Sequence, residues 1–188
     1  MISPGGNPMV SFNSNFTVKF ARCADVGCST STTTTIAEAI LPNLQEPTSL
    51  IAGSDGYPLI VFARPGTKLG IVHCTSADCA TRVVSTPDDQ GLIGQVGRHP
   101  TLTIGPDGLG IIGHSLLNPN TGAQMRITHC TNADCSSASS ANLAGIGYDD
   151  ECNGFTIGID GLPLAAFRAN ALRVVHGSQD WSASQWST

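Results

Sequence analysis

The sequence predicts an all-β, propeller-like array of four repeats, each a four-stranded antiparallel sheet. A two-residue turn recurs between short apolar runs, with successive separations of 50, 52 and 53 residues, at Gly5-Gly6, Asp55-Gly56, Asp107-Gly108 and Asp160-Gly161. The apolar runs have the length of strands, and no run repeats with a helical period. A fixed period of this size is typical of a stacked or circular array, and four strands per unit are typical of propeller blades.

The second repeat shows the predicted elements most clearly. Strands are expected over residues 49–53, 58–62, 69–74 and 81–85, followed by a connection over 86–100. Asp55-Gly56 suits the hairpin turn between the first two strands because this pair tolerates positive φ. Pro58 opens the second strand, where no ladder donor is needed. The continuous apolar run that follows favours a sheet packed on both faces.

The other repeats align with the second one element by element. Second strands are expected over 8–12, 110–114 and 163–167, and third strands over 18–23, 125–130 and 172–176. The Ser/Thr-rich run 29–35 is interpreted as the outer edge strand of the first repeat. The first inner strand is reduced to Ile2-Ser3. We expect one domain over 1–188, with repeats over about 1–48, 49–100, 101–153 and 154–188.

Composition excludes several function classes. A chain of 188 residues can bury a substantial core. Charged residues make up 12% of it and its net charge is −5, so it lacks the basic stripe of a nucleic-acid-binding protein. No apolar run is long enough to span a membrane. We expect no cofactor, because no glycine-rich phosphate loop precedes a helix, and the nucleophile motif Gly-x-Ser-x-Gly is absent.

Six of the seven cysteines form pairs with the spacing Cys-x4-Cys at one place in the repeat: Cys23 with Cys28, Cys74 with Cys79, and Cys130 with Cys135. Because each pair flanks a hairpin turn, disulfides are the leading interpretation, and they imply an extracellular, periplasmic or cell-surface location. Free buried thiols and zinc are the alternatives. Zinc would need four ligands, whereas one hairpin offers two thiolates, so no metal site is predicted. Cys152 is left over.

The repeat pattern resembles a known group of proteins. Ile-Gly-x-Asp-Gly-x-Pro-Leu, followed by Leu-x-Val-x-His-Cys-x4-Cys, resembles the β-propeller repeats of secreted or surface proteins of environmental bacteria over essentially the whole chain. That resemblance implies no established activity. The turn Ser178–Ser182 more remotely resembles the Asp-box of sialidase-type propellers, with Ser182 in place of glycine. Sialidases bind the substrate carboxylate with three arginines, and here only Arg98 lies in a connection onto an inner strand.

Charged residues occupy equivalent positions just before the inner strands. Counting back the same number of residues from the inner-strand glycines leads to Glu46, Arg98 and Glu151. With neighbours included, the candidate ligand-binding set is Glu46, Arg98, His99, Asp149, Asp150 and Glu151. Loops at this end of a propeller are where a ligand or a general acid and base would be expected. The alternative interpretation is a solvated rim of ordinary charges.

We therefore expect a non-catalytic binding or structural module of a secreted or surface protein, with a carbohydrate or protein ligand. The alternative is a glycosidase-like or sialidase-like hydrolase with its site at these entrance loops. His114 stands where the other repeats have phenylalanine, so it is either a hydrogen-bonded core histidine or a channel-facing functional one. The abbreviated first inner strand further predicts either closure through the C-terminal segment or a homo-oligomer that completes the ring.

Overall fold

The computed structural model describes residues 1–38, 46–66, 68–88, 95–120, 122–142, 153–169 and 171–177. In these ranges every regular element is a β-strand, and the strands form antiparallel sheets in chain order. The predicted all-β, propeller-type class is thereby confirmed. Among these residues no helix has the length and hydropathy of a membrane span.

Sheets I and II come from the first half of the chain. Sheet I contains β1 (Met9–Ser14), β2 (Thr17–Cys23) and β3 (Ser31–Glu38). Sheet II contains β4 (Ser49–Ala52), β5 (Pro58–Arg64), β6 (Lys68–Cys74) and β7 (Arg82–Ser85). The position of an inner strand in sheet I is taken by a single bridge between Ile2 and Pro8. Sheet I therefore has three named strands.

Sheets III and IV repeat the same plan. Sheet III contains β8 (Gln95–Ile104), β9 (Gly110–Asn118), β10 (Gly122–Cys130) and β11 (Ala138–Asn142). Sheet IV contains β12 (Asn153–Ile157), β13 (Pro163–Ala169) and β14 (Ala171–His176). Residues 178–188, where the fourth strand of the last repeat is expected, lie outside the described residues.

Each sheet packs face to face on the next, which explains the continuous apolar strands. In β5, Ile60 and Phe62 pack on sheet I, whereas Leu59 and Val61 pack on sheet III. Alternate residues of a strand point to opposite faces, so a strand that is buried on both sides must be apolar throughout. We call the face toward the preceding sheet the backward face and the other one the forward face.

The inner strand of sheet III begins earlier than its sequence predicts. The sequence indicated a connection up to residue 100, but β8 starts at Gln95 and shifts register on both sides of Arg98. Gly97 has φ of +81° and His99 has φ of +46°. A β carbon on Gly97 would lie 2.6 Å from Leu69 Cα, so only glycine allows this close approach to sheet II. The bulged strand was missed because bulges leave no simple alternation in sequence.

The three predicted disulfides are present, with Cα–Cα distances of 4.8, 4.8 and 4.9 Å. The bridges do not join residues that face each other across two strands. Cys74 faces Arg82 across the ladder, and Cys79 lies in the loop with φ of +57°. Each bridge therefore closes the loop itself, and none of these six cysteines is a thiolate available to zinc. Cys152 lies outside the described residues.

Candidate functional site

The structure brings three of the predicted site residues together where the inner strands begin. The Arg98 Nε–H donates to Glu46 Oε1 at 2.8 Å, and the backbone N–H of His99 donates to Glu46 Oε2 at 2.9 Å. The ring Nε2 of His99 lies 3.7 Å from that same oxygen. We call Glu46, Arg98 and His99 the entrance cluster.

Sheet I also contributes to the entrance cluster. The side-chain amide of Asn13, near the end of β1, donates to the backbone carbonyl of Glu46 at 2.5 Å. The side-chain oxygen of Asn13 is buried and accepts no hydrogen bond from any residue that the structure describes. Three sheets therefore meet at Glu46, which fixes the start of two inner strands relative to each other.

Burial makes the ion pair in this cluster strong and costly to break. The Glu46 side chain is 3% exposed, while those of Arg98 and His99 are 17% and 24% exposed. A buried carboxylate needs a charged partner and hydrogen bonds on both oxygens, and Glu46 has them. Because both oxygens are engaged, Glu46 is suited to hold Arg98 and His99 in place. The two basic side chains are the ones that reach solvent.

The remaining predicted site residues, Asp149, Asp150 and Glu151, lie outside the described residues. Among the residues that it does describe, no group of three or more His, Cys, Asp and Glu side chains has the arrangement of a metal site.

A second charged cluster, which we call the Asp88 cluster, lies inside the molecule. Asp88 accepts from Arg126 Nε at 2.5 Å and from Arg126 Nη2 at 3.0 Å. Thr128 Oγ1 lies 3.3 Å from Asp88 Oδ2, and His114 Nε2 lies 3.4 Å from it. Asp88 and His114 are completely buried. His114 is thus the hydrogen-bonded core histidine, one of the two interpretations above.

Sequence reasoning missed Asp88 and Arg126, although a signal was present. Phe62 faces Gly70 across the β5–β6 ladder, and the equivalent pair in sheet III is His114 with Arg126. When an aromatic–glycine pair becomes a histidine–arginine pair on a buried face, an acid must be found nearby. Asp88 supplies it from the connection after β7.

Two opposing effects set the pKa of Asp88. Burial raises the pKa of this carboxyl, but hydrogen bonds from His114 and Arg126, together with their charges, outweigh burial and hold it well below its ordinary value. The ordinary state of Asp88 in the folded protein is therefore the carboxylate. Because Asp88 and His114 are completely buried, we interpret the Asp88 cluster as structural.

Comparison with known proteins relates the fold of this chain to that of solved structures. No model of a known protein family matches the chain, and no curated protein matches it. Among solved structures, it is similar to a bifunctional GH43-CE protein of Bacteroides eggerthii, with a TM-score of 0.57, 10% identity, and coverage of 94% of this chain and 25% of that one. It is also similar to a GH43 β-1,3-galactosidase, with a TM-score of 0.56, 12% identity, and coverage of 96% and 42%.

These similarities have a limited meaning. The chain spans 25% and 42% of the length of these two solved structures. Identities of 10% and 12% relate the folds and not the sites. Together with the four sheets in chain order, they show that this chain has a β-propeller fold.

Proposed function

We propose that the chain is the propeller part of a secreted glycoside hydrolase, with its substrate site at the entrance of the inner strands. The observation that carries this proposal is the entrance cluster, where residues of three sheets converge on a buried Glu46. Fold similarity to GH43 proteins supports a carbohydrate substrate. The three disulfides support an extracellular location.

The roles follow from the chemistry of glycoside hydrolysis. That reaction needs two carboxyl groups, one to protonate the leaving oxygen and one to act as base or nucleophile. Since both oxygens of Glu46 are engaged, we assign Glu46 as a positioning residue and seek the carboxyl pair among Asp149, Asp150 and Glu151. Arg98 and His99 would bind substrate hydroxyl groups, and His99 is a further candidate for the acid.

The experiment is a hydrolysis assay on the purified chain with aryl β-galactosides and β-1,3-linked galacto-oligosaccharides. We expect turnover that falls at least about a hundredfold when Asp149, Asp150 and Glu151 are replaced together by their amides. Glu46→Gln should mainly raise KM, because it releases Arg98 and His99. A substitution at the exposed Val84 is the matched control and should leave turnover unchanged.

A second candidate function is a non-catalytic carbohydrate-binding module. The observation in its favour is that the one carboxylate of the entrance cluster has no oxygen left for proton transfer. Oligosaccharide binding without hydrolysis, lost in Arg98→Ala, would select this function. If neither turnover nor binding is found across a broad glycan panel, both candidates are wrong.

A further inference from the structure

The recurring turn makes the same side-chain contact in three of the four repeats. The turn aspartate of sheets II, III and IV lies 2.9 Å from a histidine at the end of the third strand, in the pairs Asp55–His73, Asp107–His129 and Asp160–His176. The other carboxylate oxygen accepts the backbone N–H two residues on, as in Tyr57 to Asp55 at 3.0 Å. Each turn is thus closed by a negative and a basic group.

The first repeat keeps the turn but changes both partners. Gly6 has φ of +83°, matching +80°, +78° and +78° at the other turns, so the backbone is the same. Gly5 occupies the place of the aspartate. Arg22 occupies the place of the histidine, since it faces Met9 across the ladder as His73 faces Leu59. In the first repeat, glycine therefore stands in place of the aspartate, and the permanently charged Arg22 stands in place of the histidine.

A third change replaces one of the two oxygens of the missing carboxylate. Glycines precede the turn in the other repeats, where a β carbon would lie 2.9, 2.7 or 2.6 Å from the aspartate oxygen. The first repeat has Ser3 there, and its hydroxyl accepts the Asn7 backbone N–H at 3.0 Å. Ser3 therefore replaces the oxygen that binds the backbone. Among the described residues, no oxygen takes the place of the one that would bind the base at the Arg22 Nε.

Arg22 is consequently left with unmet binding capacity. Its Nε is buried and has no hydrogen-bond partner among the described residues. Asp55 is engaged by His73. Asp78 interacts with Arg22 through its charge, while its Oδ1 accepts from Ser76 Oγ at 2.7 Å and from the Ala80 N–H at 3.1 Å, and no hydrogen bond joins Asp78 to the Arg22 Nε. A buried guanidinium nitrogen without an acceptor costs free energy, which a bound anion would recover.

Space for such an anion is present. A pocket of about 290 Å³ opens between the turns of sheets I and II, bordered by Ser3, Met9, Arg22, Asp55, Tyr57 and Ala77, among others. A β carbon on Gly5 would meet nothing closer than Ser3 Oγ at 3.9 Å, so the place of the missing side chain is open. Met9, Tyr57 and Ala77 add apolar surface to the pocket.

We propose that this pocket binds a small organic carboxylate of up to about the size of a hexuronate, held by Arg22. The ligand carboxylate takes the place that the aspartate carboxylate has in the other three repeats. Arginine binds carboxylates through charge-assisted, often bidentate hydrogen bonds. The pocket lies at the opposite end of the inner strands from the entrance cluster, so it is separate from the proposed hydrolase site.

Calorimetry or NMR titration with sodium glucuronate tests the proposal, with glucose in matched sodium chloride as the neutral probe. We expect binding of glucuronate at least about tenfold tighter than that of glucose, and loss of this preference in Arg22→Gln. Arg173→Gln removes the same charge at an exposed position of sheet IV and should change nothing. The proposal is overturned if glucuronate and glucose bind alike, or if Arg22→Gln retains the preference.

A second variant covers a failure of Arg22→Gln to fold. The double substitution Ser3→Gly with Gly5→Asp restores the pattern of the other repeats and supplies an internal carboxylate to an unchanged Arg22. We expect this variant to fold at least as stably as the parent chain and to lose glucuronate binding. Binding that persists in it overturns the proposal. Hydrolase activity, measured separately, should be unaffected in both variants.

Discussion

Asp88 illustrates how one buried charge can set the acid stability of the molecule. Its pKa lies below its ordinary value in the folded protein, because His114 and Arg126 favour the carboxylate more than burial opposes it. The stabilisation is therefore present at neutral pH and is lost as pH falls below about 4, where the unfolded chain takes up the proton. We expect the free energy of unfolding to drop between about pH 5 and pH 2.

Asp88→Asn should reduce the fall of the unfolding free energy between about pH 5 and pH 2, which we call the acid limb. It should also lower the unfolding free energy at neutral pH by about 3–5 kcal/mol, since Arg126 then keeps a buried charge without a counter-charge. Urea unfolding at a series of pH values measures both effects. Asp134→Asn is the control, because its oxygen accepts the Ser136 N–H in a loop and an amide can do the same. An unchanged acid limb in Asp88→Asn would show that other carboxyl groups set it.

At the scale of the element, the three disulfide loops are equal in length but unequal in surroundings. Each bridge closes a short loop and should stabilise by about 2 kcal/mol through chain entropy alone. Cys74 and Cys79 are also buried in the core between sheets I and II, whereas Cys28 is exposed. Replacing the buried pair removes packing in addition to the cross-link.

We therefore expect Cys74→Ala with Cys79→Ala to lower Tm by more than Cys23→Ala with Cys28→Ala. Both losses should be several degrees, because about 1 kcal/mol corresponds to about 2–4 °C in a chain of this size. Thermal unfolding followed by circular dichroism measures the difference. Equal losses would mean that the interface packing of the buried bridge contributes nothing.

The bulge in β8 connects both charged clusters. Gly97 donates its N–H to His114 Nδ1 at 3.2 Å, and the next residues, Arg98 and His99, bind Glu46. Gly97→Ala would place a β carbon against the backbone of Leu69 and require positive φ of alanine. The strand must then shift, and the entrance cluster shifts with it.

We expect Gly97→Ala to lower the free energy of unfolding by about 2–4 kcal/mol and to weaken ligand binding at the entrance cluster. Chemical denaturation and a binding titration measure these. Gly154→Ala is the matched control, since the nearest atoms there lie at ordinary contact distances of 3.8 and 3.9 Å. Stability unchanged in Gly97→Ala would contradict the assigned role of the bulge.

How far the sequence could predict these features depends on their range along the chain. The turns and the Cys-x4-Cys loops are local patterns, and they were predicted residue by residue. Glu46 and Arg98 were predicted as equivalent positions, and the structure joins them across 52 residues. Asp88 and Arg126 meet across 38 residues without occupying equivalent positions. Comparison of the repeats therefore indicates that His114 and Arg126 need a buried acid, but not which acid supplies it.

At the scale of the whole molecule, the sheets at the two ends of the array have apolar faces that remain exposed in the described part of the chain. Val10 and Phe12, on the backward face of sheet I, are 52% and 37% exposed, whereas their equivalents Ile60 and Phe62 are fully buried. On the forward face of sheet IV, Leu172 is 78% exposed and Val174 is 49% exposed. These are the two halves of the interface that joins successive sheets.

Such faces favour association, because a forward face of one copy can pack on a backward face of another just as successive sheets do within the chain. We expect a head-to-tail oligomer at micromolar concentration, with a mass that is a multiple of 19.4 kDa in light scattering. Leu172→Lys should dissociate it, whereas Val84→Lys, on the outer strand β7, should not. A monomer at tens of micromolar would mean that the faces are covered within one chain, and the oligomer would then be excluded.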